Sequence, residues 1–194
     1  MSVSRNLLIT LSALLLLAPT QSIGADEGCL TLKGKDAAAH LEYLRGDRSK
    51  LVGQCIVTAI GYVGGKRYAQ GSAVLIQYLD YQDPASLFRR DIGASILYAY
   101  PAVSALYNIG KPVVPELITT IADAGTAELI RQNAAYAIAL MYGATRPDGI
   151  AVLVSAAHAQ TDPIASIHLM DQARWLASRC IPASKNDCEN AVLK

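Results

Sequence analysis

The sequence predicts an all-α fold, an α-solenoid of about four helix pairs and about eight helices. Three observations carry that reading. The 194 residues are 52% apolar but only 6% aromatic, and 31 are alanine, the residue with the best helix propensity. Apolar residues recur at helical spacing from Asp36 to Cys180, in short runs divided by Asp, Pro and Gly;. The runs also resemble one another at a period near 35 to 45 residues, as stacked helix pairs require.

The spacing places helices at 36–45, 50–64, 69–80, 84–109 (interrupted), 112–123, 126–142, 148–159 and 163–179. Asp83-Pro84 and Asp162-Pro163 each read as an N-cap followed by proline at the first helical position;. Thr126 and Asp148 read as N-caps of two further helices. Gly64, Gly110 and Gly143 stand where helices should stop;. Among the first helices of each pair, Leu75-Ile76 aligns with Leu117-Ile118 and with Leu153-Val154. Among the second helices, Leu51, Val52, Ile56, Ala59, Ile60 and Val63 fall on Leu129, Ile130, Ala134, Ala137, Ile138 and Met141 at a constant offset of 78. Alanine at Ala59, Ala105, Ala134 and Ala137 lets helices approach closely, with Leu and Ile filling between them;.

Two segments, AVSALYNIGKPVVPELITTIADAG and LIRQNAAYAIALMYG, resemble HEAT repeats, in the short form of phycobilisome-lyase-type proteins. Val114-Pro115, Leu117, Ile121 and Asp123 match the first half of that pattern; Arg131, Ala134, Ala135 and Ala137 match the second, with Gly143 one place late. The resemblance covers residues 36–180 and is most specific from 102 to 143. It departs at Pro101 and at roughly ten extra residues between Phe88 and Leu106, which puts the geometry of the second pair in question. The resemblance implies a right-handed α-solenoid of HEAT-like helix pairs whose second helices line a partner-holding surface. It also implies a structural role for Arg131, packing near the preceding turn.

Residues 1–25 read as a secretory signal peptide. Arg5 supplies the positive start, Leu7 to Ala18 the apolar run, and Ser22-Ile23-Gly24-Ala25 a small-residue cleavage region;. A bilayer span needs about 20 apolar residues, more than this run provides. Removing the segment leaves 16 basic and 16 acidic groups. That neutral balance argues against binding nucleic acid by bulk charge. The expected location is periplasmic or secreted, with no membrane span in the mature chain.

Cys29, Cys55, Cys180 and Cys188 form an even set, which in an exported chain reads as disulfides;. Three pairings are possible. Cys180 and Cys188 close a short loop, which leaves Cys29 for Cys55; the other pairings need the two ends of a stack to meet. The polar segments 26–35 and 181–194 then serve as an N-terminal cap and a C-terminal tail.

No constellation for catalysis stands out. Gly93-Ala94-Ser95 lacks the second glycine of a nucleophile elbow;. Gly65-Lys66-Arg67 lacks the flanks of a phosphate loop;. His40, His158 and His168 have no ligand spacing, and the five Glu and eleven Asp fall mostly in turns and caps;. The basic pairs Lys66-Arg67 and Arg89-Arg90 read as solvated helix ends. Tyrosine outnumbers phenylalanine ten to one. Tyr62, Tyr98, Tyr100, Tyr107, Tyr136 and Tyr142 lie on or near the second helices, and interfaces are enriched in tyrosine.

Tyr62, Tyr107 and Tyr136 are therefore the candidate protein-binding residues. The expectation is an exported, non-catalytic HEAT-like scaffold that binds an unknown protein or peptide, with no cofactor and no metal. The alternatives are a small envelope enzyme or lyase-like factor, and a periplasmic inhibitor or immunity-type protein.

Overall fold

The structure, a computed structural model, describes residues 27–88, 96–143, 146–180 and 185–193. The expected signal peptide, Arg89-Arg90 and the glycine-alanine-serine stretch at 93–95 lie outside the described residues. Within them the chain forms ten α-helices joined by turns and short 3-10 segments, with no strand. The helices are α1 (Ala37–Leu44), α2 (Gly53–Gly65), α3 (Ser72–Ile76), α4 (Ile96–Ala99), α5 (Pro101–Ile109), α6 (Val114–Ala122), α7 (Glu128–Tyr142), α8 (Pro147–His158), α9 (Pro163–Ala177) and α10 (Lys185–Val192).

Several boundaries follow from caps that the sequence announces. The Asp36 carboxylate accepts from the Ala39 amide at the start of α1. Asp162 accepts from Ile164 ahead of Pro163 in α9;. Asp83 accepts from the Ala85 amide, but the segment it starts is a 3-10 helix, Pro84–Phe88. Gly110 and Gly143 follow α5 and α7 with φ of 91° and 132°, conformations a side chain resists.

Other expectations are corrected. Thr126 caps nothing: Ala127 precedes α7, and the Thr126 hydroxyl donates to Asp123 instead. Asp148 lies inside the first turn of α8, after Arg146 (φ 70°) and Pro147. Gly64 does not stop α2, which runs through Gly65. The expected helix 69–80 is a 3-10 turn followed by α3, which ends at Ile76 and gives way to i→i−3 bonds as far as Leu79. Pro101 separates α4 from α5, because its ring removes a donor and forces Tyr100 to an extended conformation (ψ 91°);. The tail holds α10, a mostly polar segment whose apolar residues are Cys188, Ala191 and Val192. Burial of Cys188 and Ala191 against α8 and α9, together with the Cys180–Cys188 disulfide, holds it in place.

The core is aliphatic and continuous from Leu32 to Ala191. Helix α1 packs on α2, α2 on α5, α5 on α7 and α7 on α9, while α6 packs on α7 and α8 on α9. Positions that align in sequence share their surroundings. Ile56 and Ala134, Ala59 and Ala137, and Ile60 and Ile138 are buried pairwise, and so are Leu75, Leu117 and Leu153. Small residues set two helix crossings. A Cβ on Gly64 would fall on the Ala105 backbone and 2.6 Å from the Ala105 Cβ; one on Gly149 would fall 2.5 Å from the Ala139 Cα.

Two disulfides close the described chain. Cys29–Cys55 ties the 3-10 segment Glu27–Leu32 to α2, and Cys180–Cys188 ties the end of α9 to α10. No helix among the described residues is long and apolar enough to cross a membrane.

Candidate protein-binding surface

The buried polar groups are largely occupied in holding turns. Arg131 Nη2 donates to the carbonyl oxygens of Asp123 (2.8 Å) and Ala124 (3.2 Å). Asn133 donates to the Leu79 carbonyl (2.6 Å). Glu128 accepts from both Gln132 and Gln172. Tyr78 donates to the Leu44 carbonyl (2.7 Å) and Tyr81 to the Gly53 carbonyl (3.1 Å). Arg48 lies over both of these rings and pairs with Asp80 at 2.8 Å. Burial, opposed by the Arg48 charge, pushes both phenols above the usual 10.0; the nearby Asp83 carboxylate pushes Tyr81 further.

The histidines follow the same pattern. A carbonyl only accepts, so His40 Nδ1 donates to the Asp36 oxygen (2.7 Å) and His168 Nδ1 to the Ala122 oxygen (3.3 Å);. No group of three His, Cys, Asp or Glu suited to a metal occurs among the described residues.

The three candidate tyrosines occupy different settings. Tyr62, half-buried on α2, stacks on His40 with ring centres 4.0 Å apart and planes 6° from parallel. Both rings border a cleft of about 530 Å³ between α2 and the N-terminal 3-10 segment, with Lys33 and Thr58 on its walls. Tyr107, 42% exposed on α5, borders a smaller cleft of about 280 Å³ with Arg67, Lys111 and Met141. Tyr136 is buried on α7, with the Arg146 guanidinium 5.1 Å from its ring centre. None of the described clefts has two of these tyrosines in its lining.

A feature that sequence reading missed lies at the C-terminal ends of α2, α5, α7 and α9. Each end is followed by a cation on an aromatic face: Lys66 over Tyr62 (5.5 Å), Lys111 over Tyr142 (4.4 Å), Arg146 over Tyr136 and Arg179 over Trp175 (4.2 Å). The spacing of Lys66 and Tyr62 within one helix end is visible in the sequence. The Lys111–Tyr142 contact joins two residues 31 apart in the chain, which no local pattern displays.

The ends also touch one another. The smaller cleft brings together Arg67 after α2, Tyr107 and Lys111 at the end of α5, and Met141 in the last turn of α7. Arg146 Nη1 then donates to the Arg179 carbonyl (2.6 Å), joining the ends of α7 and α9. Compared with family models, with characterised proteins and with solved structures, the chain has no significant match.

Proposed function

We propose that this is an exported, non-catalytic scaffold: a right-handed HEAT-like α-solenoid of about four helix pairs that binds another protein. Two disulfides support an oxidising compartment outside the cytoplasm;. The run of contacts from α1 through α2, α5 and α7 to α9, with α6 and α8 beside it, supports stacking;. The Arg131 bonds to the turn ahead of α7 support the HEAT-like assignment.

The observation that carries the binding function is Tyr107. This large side chain stays 42% exposed above a cleft assembled from the ends of three helices. Tyr62 adds a second aromatic face toward the N-terminal end, and Tyr136 contributes indirectly by seating Arg146. Arg131, Asn133 and the Nδ1 atoms of His40 and His168 bond to backbone carbonyls, which supports a structural role for these side chains.

The test is affinity capture from the protein's own envelope extract, comparing wild type with Y62A/Y107A. A stoichiometric protein partner held by wild type and released by the double variant is the expected result. Turnover of a small molecule by the protein alone, with no protein captured, overturns the reading.

A further inference from the structure

We infer that the edge formed by the C-terminal ends of α2, α5, α7 and α9 docks an acidic segment of a protein partner. This rests on the scaffold reading and assigns the partner's chemistry. Lys66, Arg67, Lys111, Arg146 and Arg179 follow these four helix ends. Four of the five are exposed and Arg146 is half-buried. Among the described residues none of the five makes an ion pair, nor do Lys33 and Lys35 in the N-terminal segment, whereas Arg45, Arg48, Lys50, Arg131, Arg174 and Lys185 all do.

The asymmetry runs along the helices. Asp47, Asp123, Glu128 and Asp162 gather at or just before the N-terminal ends of α2, α7 and α9. The carboxylates of Glu116 and Asp148, in the first turns of α6 and α8, lie closest in sequence to the basic edge, and neither pairs with its cations.

A helix dipole favours a cation at each C-terminal end. It does not account for the aromatic platform under four of the five. A ring beneath an ammonium or guanidinium fixes its position without neutralising it. The charge is therefore held ready for a carboxylate, and less side-chain entropy is lost when one arrives.

An acidic protein segment fits better than an anionic membrane. The cations follow the ends of successive helices, linked by the Lys111–Tyr142 and Arg146–Arg179 contacts. The cleft at Arg67 and Lys111 is large enough for single side chains, and Asn108 on its wall offers an amide for peptide hydrogen bonds. Tyr107 is the only strongly exposed large apolar side chain lining it, whereas interfacial membrane binding needs a broad apolar face.

The probe is a fluorescein-labelled deca-glutamate peptide, titrated at low salt into the purified disulfide-bonded protein and followed by anisotropy. Wild type is expected to bind it, with affinity falling as salt rises. R67E/K111E should bind roughly tenfold more weakly, two lost charge contacts of about 0.7 kcal/mol each. R45E/K50E, an equal charge change at the other helix ends, should leave binding unchanged. Circular dichroism and melting temperature check that both variants fold, and R67Q/K111Q gives a milder second reading of the same loss.

Equal weakening by both reversals, or binding to phosphatidylglycerol vesicles but not to the peptide, overturns the inference. If R67E/K111E still captures the wild type's envelope partner in full, the acidic-segment assignment fails while the scaffold reading stands. If wild type captures no protein at all, it is the scaffold reading that fails.

Discussion

Arg131 Nη2 lies 2.8 Å from the Asp123 carbonyl oxygen, reaching back from the first turn of α7 to the loop that ends α6. The guanidinium is nearly buried and also meets the Ala124 carbonyl and the Glu128 carboxylate (3.7 Å). It thereby adds a donor to the backbone oxygens just past the end of α6, of which that of Asp123 also accepts from the Thr126 amide;.

Replacing Arg131 with alanine takes this donor from the Ala124 carbonyl and leaves the Asp123 carbonyl with only the Thr126 amide (3.2 Å). A charge-assisted bond from a buried guanidinium contributes about 2 kcal/mol;, so R131A should lower stability by about that amount. Lysine has no planar fork to span two carbonyls, and R131K should recover only part of the loss. Urea unfolding midpoints of the two variants check this.

Gly64 and Gly61 lie in the same helix and should respond to alanine with opposite signs. At Gly61 a Cβ would meet nothing within 4 Å, so alanine should stabilise by up to about 1 kcal/mol through helix propensity. At Gly64 and Gly149 it would strike the backbones of Ala105 and Ala139; overpacking should cost about 1–3 kcal/mol. Thermal melts of the three variants separate the cases.

The two disulfides should differ in worth. In the chain-entropy account, closing 26 residues contributes about 3.5 kcal/mol and closing 8 about 2.5;. C29S/C55S should therefore destabilise more than C180S/C188S. The second pair should also loosen α10 locally, which amide exchange over residues 185–193 reads directly.

Alkaline solution should weaken the fold through Tyr78 and Tyr81. Their phenols titrate above the usual 10.0 when folded, chiefly because of burial. The unfolded chain then releases these protons first. This contribution to stability is complete below pH 10 and is lost as pH rises through the folded values. Y78F should flatten that alkaline limb. It should also cost about 1 kcal/mol at neutral pH, because the Leu44 carbonyl loses its donor;. Melting temperature against pH, for wild type and Y78F, checks both halves.

Much of the helical order was legible because its determinants are local. Asp36, Asp83 and Asp162 cap by reaching two or three residues ahead, and the apolar period follows from 3.6 residues per turn. Thr126 and Asp148 misled because a good capping residue competes with other partners: Thr126 spends its hydroxyl on Asp123, and Pro147 moves the helix start ahead of Asp148. Helix α10 was invisible because packing and a disulfide, not propensity, hold it.

The candidate surface was legible only in part. Tyr107 is exposed, whereas the burial of Tyr136 depends on neighbouring helices that no spacing describes. The basic edge was hidden for the same reason. Lys111 meets Tyr142, and Arg146 meets Arg179, only once the helices are packed.

The most direct test of a protein-binding scaffold is photo-crosslinking in the living cell. Benzoylphenylalanine placed at position 107 should give one discrete adduct with another protein after irradiation, and the same probe at exposed Glu42 should not. No adduct at position 107, or the same adducts from both positions, would contradict the account.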